Sequence, residues 1–258
     1  MKRSIIYWTP YDRPSRRRYV LLAMVVFVLT ASATHHGELR HDTRPTGYTV
    51  PHSEGYTSAY WAGSDRYFPN LANYLEAEDP SLQLYREPVT REAVIDFFVS
   101  VVGSEEIVVP VLKNADRNDI PPTLAFTIAY IESSYRTHVV NQNTPNSHNR
   151  RPSTDRGLFQ LNDRSFPHLS DDDFFHPDTN SQYAMEHLRY AMNRAGEDYQ
   201  TAIAIYNAGE GRVLAGNTPA STQRYVRRAS QYRASLLSRF RAFIDRHFPT
   251  EPREIAGS

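Results

Sequence analysis

From Thr90 almost to the end of the chain, apolar residues return every three or four positions, the period of helices with one buried face. Val94, Ile95, Phe97, Phe98, Val101 and Val102 form one stripe behind a Thr90 cap, and Gly103 ends it. Ser104, Glu105 and Glu106 open a second helix through Leu112, with a bend expected at Pro110. Asp119, ahead of Pro121-Pro122, starts a third, whose run Leu124-Ala125-Phe126-Thr127-Ile128-Ala129 reads as buried and which closes at Glu132. Asn141 to Asp155 reads as a polar loop, and Arg156 to Asn162 as a short semi-apolar piece. Asp171-Asp172-Asp173 lacks the alternation and glycine of a calcium loop, so it reads as a solvated loop or helix start. Ala184, Leu188, Ala191, Met192 and Ala195 share the face of a helix stopped by Gly196, and Thr201 to Ala208 is nearly all apolar, hence central. The longest pattern runs from Tyr225 through Ala229, Tyr232, Leu236 and Phe240 to Ile244, backed by Arg224, Arg227, Arg228, Arg233, Arg239, Arg241 and Arg246. That arginine face is read as solvated in preference to a dedicated anion site. There is no run of alternating strands and no internal repeat. The expectation is an all-α globular domain over residues 88–247, with a tail at 248–258.

The front of the chain differs. Residues 34–87 are polar and rich in Tyr, His, Pro and Gly, without a sustained period. Tyr56, Tyr60, Trp61, Tyr67 and Phe68 are too many aromatics for a pure linker, so this irregular extension should lie partly on the main domain or meet a partner. His35, His36 and His41 are read as solvated, and no metal is called for. Residues 1–33 combine six basic residues and one acid with an apolar run Val20–Leu29 and Ala31-Ser32-Ala33. That is the build of a secretory signal peptide, which predicts export to the periplasm or cell envelope. An uncleaved anchor is the alternative, disfavoured because ten apolar residues span a bilayer poorly. A twin-arginine signal at Ser15-Arg16-Arg17-Arg18-Tyr19 ranks lower still, since nothing here demands a cofactor loaded before export.

Charge and cysteine narrow the chemistry. Without its first 33 residues the chain keeps 23 basic and 28 acidic residues, net −5, which argues against nucleic acid as main partner. There is no cysteine, which excludes disulfides, a thiolate metal site, a cysteine nucleophile and an N-terminal lipidated cysteine. Glu132 then stands out. Helical spacing places it after Ile128 and Ala125 on an aliphatic face, where lost hydration favours the protonated carboxyl. The negative end of the helix dipole pushes the same way. A proton held near neutral pH is what a general acid requires.

Three pieces follow one another in order: Ile131-Glu132-Ser133, Gly157-Leu158-Phe159-Gln160-Leu161 and Ile205-Tyr206-Asn207-Ala208-Gly209. A weaker fourth is Pro219-Ala220-Ser221-Thr222-Gln223-Arg224-Tyr225-Val226. The set resembles the soluble-type lytic transglycosylases (SLT) of the lysozyme-like superfamily, over roughly residues 105 to 232. The resemblance implies a goose-type-lysozyme-like helical fold acting on peptidoglycan glycan strands. There are departures: Phe159 stands where that family usually has Met, the loop before Gly157 is longer, and Ser221 replaces a common acidic residue. Each piece also suits sugar-polymer cleavage. Ser133 offers a hydroxyl beside Glu132, Gly157 would let backbone approach the saccharide, and Gln160 supplies donor and acceptor for an acetamido group. Phe159 could pack beneath a sugar ring. Tyr206 and Asn207, ending a buried helix, could present a phenol and an amide to the catalytic carboxyl, with Tyr225 a further candidate.

The resemblance implies one Glu acting as acid and then as base on the bond between N-acetylmuramic acid and N-acetylglucosamine. The muramic acetamido oxygen assists, a 1,6-anhydro end forms without water, and no cofactor or second carboxylate is required. Asp155 keeps an alternative open. Ser153-Thr154-Asp155-Arg156-Gly157 is similar to the segment of c-type lysozymes that carries their second carboxylate, so a muramidase using Glu132 and Asp155 is the second reading. A non-catalytic wall-binding or scaffold protein is the third. Under any of the three readings the N-terminal extension could engage a cell-envelope machine.

Overall fold

The computed structural model describes residues 67–143 and 152–251. The expectations for residues 1–33, and for His35, His36, His41, Tyr56, Tyr60 and Trp61, lie outside the described residues. The described part is mainly helical, as the patterning predicts. Its helices are α1 (Ala72–Leu75), α2 (Ser81–Arg86), α3 (Arg91–Val102), α4 (Glu105–Arg117), α5 (Pro122–Ser133), α6 (Asp171–Phe175), α7 (Pro177–Ala195), α8 (Tyr199–Ala208), α9 (Glu210–Leu214) and α10 (Ala220–His247). Between α5 and α6 lies a small antiparallel sheet in the order β1 (Val140–Asn143), β2 (Ser153–Arg156), β3 (Leu161–Asn162).

Helix α5 is the centre. Every residue from Pro122 to Ala129 is buried, so it has no solvent face until its final turn. Phe126 stacks on Phe98 of α3 with ring centroids 4.3 Å apart, and Phe97 meets Phe240 of α10 edge-on at 5.1 Å. These rings join α3, α5 and α10 into one core. On the other side Asn114 of α4 donates to Ser181 Oγ (2.9 Å) and to the Asp178 carbonyl (3.1 Å), which ties α4 to α7.

Several boundaries differ from the pattern, each for a local reason. Thr90 precedes α3, but its hydroxyl donates to the Leu84 carbonyl (2.5 Å) and caps nothing. Helix α4 continues past Leu112 to Arg117 with Pro110 inside it. The cap of α5 is Pro121, because Asp119 sits in the left-handed region at φ 54. Asp171 begins a helix held by a reciprocal Ser170–Asp173 capping box. Strands β1 and β2 occupy the two ends of the stretch read as a polar loop. Four-residue strands that are polar on one face give no apolar alternation to detect.

Residues 71–86 also depart from the expected irregular extension. Leu71, Leu82 and Leu84 are buried, and helices of four and six residues are too short to show a period. The buried Asp79 carboxylate fastens them. It accepts from the Ser81 hydroxyl at 2.6 Å, from the Thr123 hydroxyl of α5, and from Arg233 of α10 at 2.9 Å. The Arg233 guanidinium lies in turn over the Tyr199 ring at 3.8 Å.

Candidate active site

Glu132 occupies the last turn of α5, half-buried, at the point where that helix first reaches solvent. The Tyr225 phenol of α10 donates to its Oε1 at 2.6 Å. Just beyond it the chain makes two successive left-handed residues, Ser134 (φ 54) and Tyr135 (φ 64). For residues with a Cβ each such position costs about 1–2 kcal/mol, so the helix is stopped at a definite place by its surroundings.

The second component is the turn from Gly157 to Gln160. Gly157 has φ 81, and a Cβ on it would stand 1.9 Å from the Phe174 carbonyl oxygen. Its N–H donates to the Val139 carbonyl (2.9 Å). The Gln160 amide donates to the carbonyls of Gly157 (2.8 Å) and Val139 (3.0 Å) and accepts from Asn141 (2.5 Å). Phe159 is clamped on both sides of its peptide unit: its N–H donates to Asn180 Oδ1 (2.8 Å), and its carbonyl accepts from the Tyr206 hydroxyl (3.1 Å).

Tyr206, on α8, is the meeting point. Burial pushes its phenol well above the usual tyrosine value, and the charges of Glu132 and Asp155 add to the effect. The hydroxyl therefore stays protonated and remains a donor. Behind it the His187 ring of α7 lies near-parallel, with centroids 4.9 Å apart, and burial holds that imidazole down at about 4.

Asp155 faces the same centre from β2. Register places Asn141, Asp155 and Asn162 in one row across the three strands. Asn143 donates to Asp155 Oδ2 at 2.9 Å and Asn162 to Oδ1 at 2.7 Å, so each carboxylate oxygen takes an amide N–H.

The structure thus brings Glu132, Asp155, Tyr206 and Tyr225 to one place, with the half-buried Asn207 next to Tyr206 at the end of α8. Three expectations need correction, those for Ser133, Phe159 and Gln160, and Gly157 has a structural reason of its own. The Ser133 hydroxyl donates back to the Ala129 carbonyl (3.1 Å) and the residue is 2% exposed, so it braces the helix and does not face a sugar. Gly157 is required by the approach of the Phe174 carbonyl. The Phe159 ring is wholly buried and offers no platform. The Gln160 amide is committed to the chain's own carbonyls. In addition, the phenol that reaches Glu132 is that of Tyr225, while Tyr206 turns its hydroxyl to the turn.

Asn180, His187, Asn143 and Asn162 were missed as contributors. Asn180 is fully buried and also donates to the Phe174 carbonyl (2.9 Å), a role its place in a long polar-looking helix start did not signal. The period-two spacing Asn141-x-Asn143 opposite Ser153-x-Asp155 was the one sign of the sheet face. Among the described residues no group of His, Asp or Glu side chains is arranged to hold a metal ion.

Residues 110–225 match the family described as the transglycosylase SLT domain. No curated protein matches the chain.

Proposed function

We propose that the chain is a lytic transglycosylase cleaving the β-1,4 bond after N-acetylmuramic acid in peptidoglycan, a reading supported by the match of residues 110–225 to the transglycosylase SLT domain. The observation that carries the reading is the Glu132–Tyr225 pair: a carboxyl at the first solvent-reaching turn of a buried helix, oriented through one oxygen by a phenol. Tyr225 orients the Glu132 carboxyl through Oε1, and that carboxyl is the group that meets the glycosidic oxygen. Glu132 gives its proton to that oxygen as the C1–O bond breaks, and the muramic acetamido oxygen bonds to C1. The Glu132 carboxylate then takes the proton of the sugar's own C6 hydroxyl, whose oxygen displaces the acetamido group at C1. The balance is one glycosidic bond exchanged for a 1,6-anhydro bond, with no water consumed and Glu132 protonated again. Tyr206, held as a neutral donor, keeps the turn and α8 in register with the carboxyl. Export by residues 1–33 to the cell envelope, where the substrate lies, belongs to the same proposal.

Digestion of purified peptidoglycan followed by mass spectrometry tests it. Anhydro ends, lighter than reducing ends by one water, are expected. Glu132→Gln should lower release by about a thousandfold or more, the scale of a lost general acid, with unchanged thermal unfolding. Full activity in that variant would remove the assignment.

A second reading, hydrolysis, draws on Asp155. Its carboxylate is held by Asn143 and Asn162 and acts on the same Tyr206 that Glu132 does. Reducing ends in the digest, lost on Asp155→Asn, would replace the transglycosylase by a muramidase.

A further inference from the structure

Helix α10 carries seven arginines and a single carboxylate, Asp245, and it has no lysine. Two of the arginines are engaged internally, Arg233 on Glu78 and Asp79, and Arg241 on the carbonyls of Leu75, Ala77 and Glu78. Arg224, Arg228, Arg239 and Arg246 follow one another at four, eleven and seven residues, each close to a whole number of turns. They form one exposed stripe along the helix. Arg224, Arg228 and Arg239 have no carboxylate partner among the described residues.

Beside that stripe runs a tyrosine edge. Tyr225 holds Glu132; two turns on, Tyr232 lies flat against Tyr130 with centroids 4.0 Å apart and planes 9° apart. The Tyr232 and Tyr135 hydroxyls are hydrogen-bonded at 2.7 Å, and Arg239 is near enough for its charge to act on both phenols. Tyr130 is 37% exposed although the eight residues before it, Pro122–Ala129, are all buried. The stack therefore presents an aromatic ring at the surface directly beside the arginine stripe. From Tyr225 to Arg239 the strip runs about 21 Å along the helix, longer than a single sugar.

We propose that this strip is a second contact surface for the substrate strand, with the Tyr130–Tyr232 stack under a pyranose ring and Arg228 and Arg239 on the carboxylates of the stem peptides. The inference rests on the peptidoglycan reading above and names the part of the polymer read beyond the scissile bond. Guanidinium groups suit planar carboxylates better than ammonium groups do. An anionic lipid surface would also attract the arginines, but it would have no use for a flat aromatic pair continuous with Glu132.

The test uses the full-length chain carrying Glu132→Gln, so that binding is read without cleavage. It is sedimented with intact sacculi, with the bead-coupled glycan strands of sacculi stripped of stem peptides by an amidase, and with vesicles of anionic phospholipid. Adding Arg228→Gln and Arg239→Gln, both at exposed positions, should weaken binding to intact sacculi about fivefold, the scale of two exposed charge pairs. Binding to the stripped strands should not change. Tyr130→Ala should weaken both by about threefold, a modest aromatic contact. Unchanged binding of the arginine double variant to intact sacculi would overturn the proposal, as would an equal loss on the stripped strands. An arginine-dependent gain on lipid vesicles with none on sacculi would replace the strand by a membrane. If wild-type protein released no muropeptide while the arginine-dependent binding stood, the catalytic reading would fail and this one would survive.

Discussion

The site has two walls of opposite character. The turn Gly157–Gln160, with α7 and α8 behind it, is buried and bonded to the chain itself through the peptide groups of Gly157, Phe159 and Gln160 and through the Gln160 amide. The end of α5 and the facing edge of α10 are half-buried and reach solvent, with Glu132, Tyr225 and Tyr232 along them. Both walls carry residues of the ordered set that pointed to this chemistry, yet a buried, fully bonded group cannot touch a polymer without first breaking its own contacts. On the proposed function the saturated wall serves as scaffold and the open wall carries the chemistry, so substitutions should separate into those that cost stability and those that cost turnover.

Gly157→Ala should give the largest structural effect. A Cβ there meets a backbone carbonyl at 1.9 Å and must also adopt φ 81. Left-handed strain and overpacking together predict a loss of roughly 3–5 kcal/mol, read by urea denaturation. A fully stable variant would mean that the turn is free to move and the saturated wall is not rigid.

His187 probes the same wall through pH. Its imidazole is neutral in the fold, held at about 4, against about 6.5 when unfolded. Below pH 6.5 the unfolded chain gains a proton that the folded one refuses, so stability is full above about 6.5 and falls as pH drops towards 4. Over that window the loss is about 3 kcal/mol. His187→Phe keeps a ring against Tyr206 and should flatten this slope in unfolding measured between pH 7 and 4. An unchanged slope would place the acid sensitivity elsewhere.

How much of this was legible follows from the range of each interaction. The stripe of α7 with its Gly196 stop, and the long period of α10, are patterns within a single element, and they came through directly. The place of Glu132 at the end of a buried helix was legible because its apolar run precedes it immediately. The exchange of roles between Tyr206 and Tyr225 was not, since the bond to Glu132 spans 93 residues and no local period encodes it. Nor were Phe159 and Gln160: an aromatic ring and an amide in a sugar-enzyme pattern suit a sugar as well as they suit a core, and only packing decides between them. The sheet escaped because its message is polar alternation, Asn141, Asn143 and Asp155, in strands of four residues.

The two tyrosines make the sharpest contrast between the walls. Tyr225→Phe removes a hydrogen bond to an ionisable partner, worth roughly 1.5–3 kcal/mol, and should slow muropeptide release about tenfold to a hundredfold. Its unfolding midpoint should hardly move, because the position is half-buried. Tyr206→Phe removes a buried neutral bond to the Phe159 carbonyl and should cost about 1–2 kcal/mol of stability. Its effect on rate should be smaller than that of Tyr225→Phe when assayed below its own melting temperature. Reversed effects would exchange the walls.

The smallest effect is expected at the turn that ends α5. Ser134 is exposed, in the left-handed region, and its N–H already closes the helix on the Tyr130 carbonyl at 2.8 Å. Glycine adopts that conformation without the Cβ penalty, so Ser134→Gly should raise stability by about 0.5–1 kcal/mol. Its neighbour Tyr135 shares the conformation but is held by Tyr130 and Tyr232, and truncation there should destabilise the fold. If Ser134→Gly is more stable and equally active, the strain merely marks where the helix must stop. If it gains stability but loses turnover, the strained turn is part of how Glu132 is aimed. The open wall would then be rigid where it matters, through backbone conformation instead of the hydrogen bonds that fix the wall opposite.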